Sequence, residues 1–311
     1  MKDIYDILRE WKKRCGSDRH SGSEFALATL VRVEGSSYRR PGARMLICEN
    51  GTSVGSLSAG CLEDEVALRA REVLQTGQPT IVSFDTRRRF GCAGRIDIFI
   101  ERISDKSLRD LAHDLAERRS CFVITAFGEK DAGSRVVRTE TDHDYEHALI
   151  QKVHPPLRLL IVGDGPDNAP LRLFGNLLGW EVSELVDPNL LSIKADAWTA
   201  AIVKSHNYGR DFAALGKLLP MNLRYIGLIG PRQRRDQLMN HLLDLGITVN
   251  AGFFAPAGLD FGAETTEEIA LSIIAEIQRV FAKGSGESLR ERKISIHEAL
   301  QCANTPALLK R

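Results

Sequence analysis

The chain has no apolar run approaching the roughly 20 residues that a membrane-spanning helix needs. Its opening stretch, MKDIYDILREWKKR, is charged and amphipathic where a signal peptide would be apolar. The expectation is a cytoplasmic protein without a membrane span. An excess of either charge is missing too: 42 basic side chains stand against 41 acidic ones. That balance argues against wrapping nucleic acid or lying on an acidic membrane, so any basic site must be local. The six cysteines, Cys15, Cys48, Cys61, Cys92, Cys121 and Cys302, include no CxxC pair and no histidine spacing of the kind zinc sites use. In a reducing compartment they read as thiols, each by default a small buried apolar residue. HExxH and P-loop motifs are also lacking, and Gly51-Thr52-Ser53-Val54-Gly55 reads as part of a hairpin rather than as a GxSxG strand-to-helix elbow, which leaves hydrolase and kinase chemistry without a foothold.

What is present is enough apolar sequence, 43% of 311 residues, to fill about two domains. Ile4, Ile7, Leu8 and Trp11 share one face of an opening helix. FALATLVRV follows as a strand, MLICENGTSVGSL as a hairpin around Asn50 and Gly51, VALRAREVLQTG as a helix stopped at Gly77, and RIDIFIERI as an alternating strand. After the strand CFVITAFG, Pro155 and Pro156 make a linker. Beyond it LRLLIVG, WEVSELVD, AAIVKSH and RYIGLIG alternate with helical stretches, the sequence form of a parallel sheet covered by helices. A last helix starts from the capping box Thr265 to Glu268 and aligns Ile269, Ile273, Ile274 and Ile277, before a polar tail beyond Lys283. The fold expected is α/β: a mixed α+β N-terminal domain over 1–153, then a Rossmann-like parallel-sheet domain over 154–311.

A strand running into Gly163-Asp164-Gly165 and a helix, with Asp187 closing the next strand, has the layout of a dinucleotide-binding βαβ unit. Asn168 stands where the third glycine belongs, Pro166 has no amide hydrogen to give, and Asp164 and Asp167 bring negative charge to the phosphate position. The residues therefore leave two readings open, a nucleotide or pterin-nucleotide site, or a scaffold whose Asp167 or Asn168 caps its helix. Asp187 either holds a ribose hydroxyl or starts the turn at Pro188. His206, Gly227 and Gly230 fall at strand ends, the edge where such sheets bind ligands. Arg232, Arg234 and Arg235 open a helix, where cations need an anion or carboxylate to offset the dipole.

Three segments of the first domain combine small residues with reactive or charged ones: GSSYRRPGARM from Gly35, GSLSAGCLEDEV from Gly55 and RRRFGCAGRIDIF from Arg87. Glycines flank Cys61 and Cys92 and leave room for a ligand or backbone to come close. Cys61 also precedes a helix whose N-terminal field favours thiolate, while Glu63, Asp64 and Glu65 oppose it. Arg39, Arg40, Arg44, Arg87, Arg88, Arg89 and Arg95 surround these thiols in sequence. Guanidinium groups suit phosphate and thiolates suit a soft metal, a pairing that describes molybdopterin, although salt bridges to the three acids would use the same arginines.

Read together, PGARM, GCLEDEV and FGCAGRIDIFIE, then LLIVGDG, SHNYGRD, YIGLIGPRQRR and PAGLDFGAETTEEIALSIIAEI, resemble the XdhC/CoxI family over nearly the whole chain. The resemblance implies an accessory protein rather than an enzyme: one that binds molybdenum cofactor, protects it during sulfuration with a cysteine desulfurase as partner, and inserts it into a xanthine dehydrogenase-like apoenzyme, as a homodimer. By position it matches Arg44, Cys61, Cys92, Gly163, Gly165, His206 and Asp211 to family residues, with Cys61 and Cys92 approaching the molybdenum; the reading of the residues adds Arg40, Gly60, Asp187 and Gly230 to the expected cofactor-binding positions. The family usually has GAGHVA where this chain reads GDGPDN, which puts NAD(P) binding in question. The rival reading is an NAD(P)-dependent oxidoreductase using the Gly163–Gly165 loop, Asp187 and His206.

Overall fold

The computed structural model describes residues 1–15, 24–35, 37–85, 94–128, 131–139 and 147–291. The chain divides into two compact units, Met1–Pro156 and Leu157–Arg311, with the division at the proline pair.

The first unit is built on a five-stranded antiparallel sheet of order β3-β2-β1-β5-β4, formed by β1 (Phe25–Gly35), β2 (Arg44–Cys48), β3 (Ser53–Gly55), β4 (Thr80–Asp85) and β5 (Gly94–Arg102). Its two faces are covered differently. Helix α2 (Glu63–Thr76) lays Val66, Ala70, Val73 and Leu74 on one face and ends where Gly77 turns left-handed at φ 70°. The other face meets α1 (Lys2–Arg14), α3 (Asp105–Ala116) and a three-stranded sheet of order β7-β6-β8, comprising β6 (Cys121–Ala126), β7 (Gly133–Val137) and β8 (Ala148–Val153). The expected amphipathic face of α1 is the buried one. The alternation in β5 reads in sequence as one wet face, yet Asp97 and Glu101 on that face are buried. The second sheet explains this for Glu101, whose carboxylate accepts the Ser134 amide of β7 at 2.7 Å. Helix α3, capped by Ser104 and packed through Leu108, Leu111, Ala112 and Leu115, is an element the sequence reading missed.

In the second unit a five-stranded parallel sheet runs β10-β9-β11-β12-β13, with β9 (Arg158–Val162), β10 (Glu181–Leu185), β11 (Thr199–Val203), β12 (Tyr225–Leu228) and β13 (Phe253–Phe254). Helices α4 (Asn168–Leu177) and α7 (Thr266–Ala282) cover one face, and α5 (Tyr208–Leu218) and α6 (Arg232–Asp244) the other. This is a doubly wound α/β sheet, whose order reverses between β9 and β11. The capping box of α7 forms, Thr265 with Glu268, but Ile269 is exposed and Ala270 takes its place beside Ile273, Ile274 and Ile277. One residue is about 100° of helix, so the buried stripe starts one position later than the isoleucines suggest. Among the described residues, no helix is long and apolar enough to cross a membrane.

Candidate functional site

The ladders of the first unit bring its three singled-out segments to one end of the sheet. Gly35 pairs with Gly94, Asp85 with Arg95, Thr29 with Arg44 and Met45 with Gly55. The segment between β1 and β2, the segment between β3 and α2, and the two strand ends that flank Cys92 therefore share that end. Cys92 itself, with Arg87, Arg88 and Arg89, lies outside the described residues.

Between β3 and α2 the chain wraps a single carboxylate. Glu63 accepts the Leu57 amide at 3.1 Å, the Ser58 amide at 2.8 Å and hydroxyl at 2.7 Å, the Leu62 amide at 3.0 Å and the Ser56 hydroxyl at 3.1 Å. The Ser58 oxygen in turn accepts the amides of Gly60 at 3.2 Å and Cys61 at 3.1 Å. Burial would raise the Glu63 pKa, but the bonds from Ser58 and Leu62 outweigh it and hold it down at about 2. Gly60 adopts φ +101° with open space around it, and Cys61 next to it is exposed at the foot of α2. Glu63 is thus the loop's organiser, and among the described residues it has no arginine as a salt-bridge partner. Serines closely preceding a glutamate at the start of a helix were the signal that could have revealed it.

The arginines divide. Arg39 bonds Asp3 of α1, and Arg95 joins Arg32 and Ser83 around the buried Asp97. Arg40 is half-buried in the segment before β2. Arg44 is only 4% exposed; its Nη1 donates to the Gly42 carbonyl at 3.0 Å and to the Gln151 side chain, while Nη2 has no partner among the described residues. Desolvation lowers its pKa to about 10, against the opposing charge of Glu101. Arg44 reaches into a cavity of about 30 Å³ lined mainly by Ile4, Ile7, Leu27, Leu108 and Val123, a volume suited to one water rather than to a cofactor. Sequence placed Arg44 in the binding loop because it is the arginine of PGARM, whereas the pleat of β2 turns it inward with Leu46 and Cys48.

In the second unit Gly163, Gly165, Asp187, His206 and Gly230 all follow carboxyl ends of the parallel strands. Gly163 is needed for a backbone crossing, since a Cβ there would stand 2.7 Å from the Lys204 carbonyl. Lys204, which the sequence reading passed over, is fully buried beside it. Its ammonium donates to the Asp164 carbonyl at 2.9 Å, Asp167 Oδ1 at 2.7 Å and Asn168 Oδ1 at 2.6 Å. Asp167 occupies the helix N-cap position without capping it, and Asn168 braces Gly163 and Glu184 through Nδ2 at 3.1 and 2.8 Å. Asp187 accepts the Asn189 amide at 2.8 Å and so starts the turn at Pro188. His206 is exposed in a left-handed conformation, φ 52°, with Nε2 3.9 Å from Asp167. Buried Asp211 fixes that turn: it accepts the Ser205 amide at 3.0 Å and pairs with Arg234. The basic start of α6 is thereby offset internally, with Arg235 donating to the Ala255 carbonyl at 3.1 Å.

Residues 19–85 match the XdhC and CoxI family and residues 159–277 match the XdhC Rossmann domain, together more than half of the chain. The chain belongs to the XdhC/CoxI family. It is 29% identical to a probable xanthine dehydrogenase subunit of Bacillus subtilis over 82% of this chain and 92% of the relative. It is 24% identical to the molybdenum cofactor insertion chaperone PaoD of Escherichia coli over 84% of each chain. A crystal structure of a xanthine dehydrogenase from Bacillus halodurans superposes with a TM-score of 0.75 at 25% identity, covering 93% of this chain and 98% of that one.

Proposed function

We propose that this XdhC/CoxI protein is an accessory factor that binds molybdenum cofactor as cargo and hands it to a xanthine dehydrogenase-like apoenzyme. The observation that carries the reading is the exposed Cys61 thiol, held by the Glu63 loop at the sheet end that also bears Arg40. The names of the Bacillus subtilis relative and of PaoD support the same role. A soft sulfur ligand at the foot of a helix suits the molybdenum or its exchangeable sulfur, and Cys92 is the second thiol of the proposal. Arg40 takes the phosphate; the interior Arg44 acts from behind, fixing the start of β2 through Gly42 and Gln151. Gly60 provides the turn that leaves Cys61 outward. Protection of the cofactor during sulfuration, with a cysteine desulfurase as partner and a homodimer as the working form, belongs to the proposal in its finer form. The test is molybdenum and pterin content of protein purified anaerobically from a host that makes the cofactor, beside Cys61→Ala. Near-stoichiometric cofactor that falls at least tenfold in the variant is the expected result. An empty wild type, or an equally loaded variant, rejects the cysteine site.

A further inference from the structure

The strand-order reversal puts the ligand crevice of the second unit between β9 and β11. In dinucleotide-binding units the pyrophosphate lies over the turn after the first strand and takes amide hydrogens at the following helix N-terminus. Here a side chain of the protein reaches the same place. We infer that Lys204 is an internal ligand of this turn, its ammonium seated where a dinucleotide phosphate would lie, so that the second unit takes neither NAD(H) nor NADP(H).

An ammonium has three hydrogens to donate, and all three of Lys204 find acceptors, Asp164 O, Asp167 Oδ1 and Asn168 Oδ1. Those acceptors are the intervening and third-glycine positions of the fingerprint, so the residues that would face a phosphate face the lysine instead. The side chain is fully buried, and a Cβ on Gly165 would meet Asp167 Oδ1 at 2.6 Å and Lys204 Nζ at 3.5 Å, which leaves no gap for a second group. Donors for a phosphate are also fewer. Pro166 has none, while the amides of Asn168 and Ala169 turn back to Gly165 and Pro166 carbonyls at 3.2 Å. A cation at a helix N-terminus opposes the dipole, and here the Asp167 carboxylate, which forgoes capping α4, supplies the charge that offsets it. Acids at the ribose end are engaged too, Glu184 with Asn168 and Arg172, Asp187 with the Asn189 amide.

The test uses the full chain. NADH and NADPH fluorescence is titrated to about 1 mM, and thermal unfolding is compared for wild type, Lys204→Met and Lys204→Met with Asp167→Asn. Neither nucleotide is expected to give saturable binding. Lys204→Met should unfold about 10 °C lower, because it strands a partly buried carboxylate, and the second substitution should recover a good part of that loss. Saturable nucleotide binding to the wild type overturns the inference, as does Lys204→Met unfolding at the wild-type temperature. Should Lys204→Met not fold, amine acylation of the native wild type decides. Lys204 is expected to stay unmodified until the protein is denatured, and modification at the pace of exposed lysines overturns the assignment.

Discussion

Each unit of this protein carries a glycine turn leading into a helix, and each turn is stitched by one ionised side chain of opposite sign. In the first unit the Glu63 carboxylate collects the loop's amides and hydroxyls, and the thiol of Cys61 stays exposed. In the second the Lys204 ammonium collects the loop's oxygens and fills the place a ligand would use. The two devices satisfy the same requirement, that polar backbone at a helix start be bonded when water is kept away. They differ in consequence because the anion of the first turn orders its loop and leaves Cys61 exposed, whereas the buried cation of the second occupies the interior of its turn. The two units are thus unequal: the first turn sits with the thiol, the second within a nucleotide-binding type of sheet.

The comparison can be broken most severely at Lys204. Lys204→Met should cost about 4 kcal/mol of unfolding free energy, read as the urea midpoint, since it removes a buried ammonium with three hydrogen bonds and strands the partly buried Asp167 carboxylate. Gly163→Ala should cost nearly as much, about 3 kcal/mol, because the new Cβ stands 2.7 Å from backbone that has no freedom to move. Glu63→Gln should cost about 2 kcal/mol at neutral pH, the loss of charge from a set of hydrogen bonds. It should also change the rate at which Cys61 is alkylated, which an unrelated destabilising substitution would leave alone. The pH dependence sharpens this prediction. The folded pKa of Glu63, about 2, lies below the ordinary 4.5, so its contribution is complete above pH 4.5 and is lost as pH falls through about 2. The stability gap between wild type and Glu63→Gln should close over that interval; a constant gap would refute the charged role. Smallest is Gly60→Ala, about 1 kcal/mol, where only the left-handed φ is strained and nothing lies within 4 Å. An effect as large as at Gly163 would mean that the two turns are equally crowded.

Much of the architecture was legible in periodicity. The amphipathic α1, the hairpin at Gly51, the stop at Gly77, the parallel strands and the capping box of α7 are local signals, each set by residues within a few positions of one another. Helix α3 was equally local and was passed over beneath its charged residues, although its apolar spacing is regular. The site was less legible. Gly60 and Cys61 were visible from their neighbours, but Glu63, in sequence an opponent of the thiol, is the group that orders its loop. Arg44 stands beside the half-buried Arg39 and Arg40 in sequence and in the core in space.

The amino-acid sequence alone determined the family, the two kinds of sheet and the positions of the glycine turns, because these depend on short-range pattern and on several long motifs occurring in order. Tertiary structure decided which charges are spent and on whom. Lys204 lies 37 residues from Asp167 and 36 from Asn168, and Arg44 lies 107 from Gln151. No local pattern announces such pairs; they exist because strand order sets β11 beside β9 and the second sheet against the first, and burial then leaves each charge no partner but the one the fold brings to it.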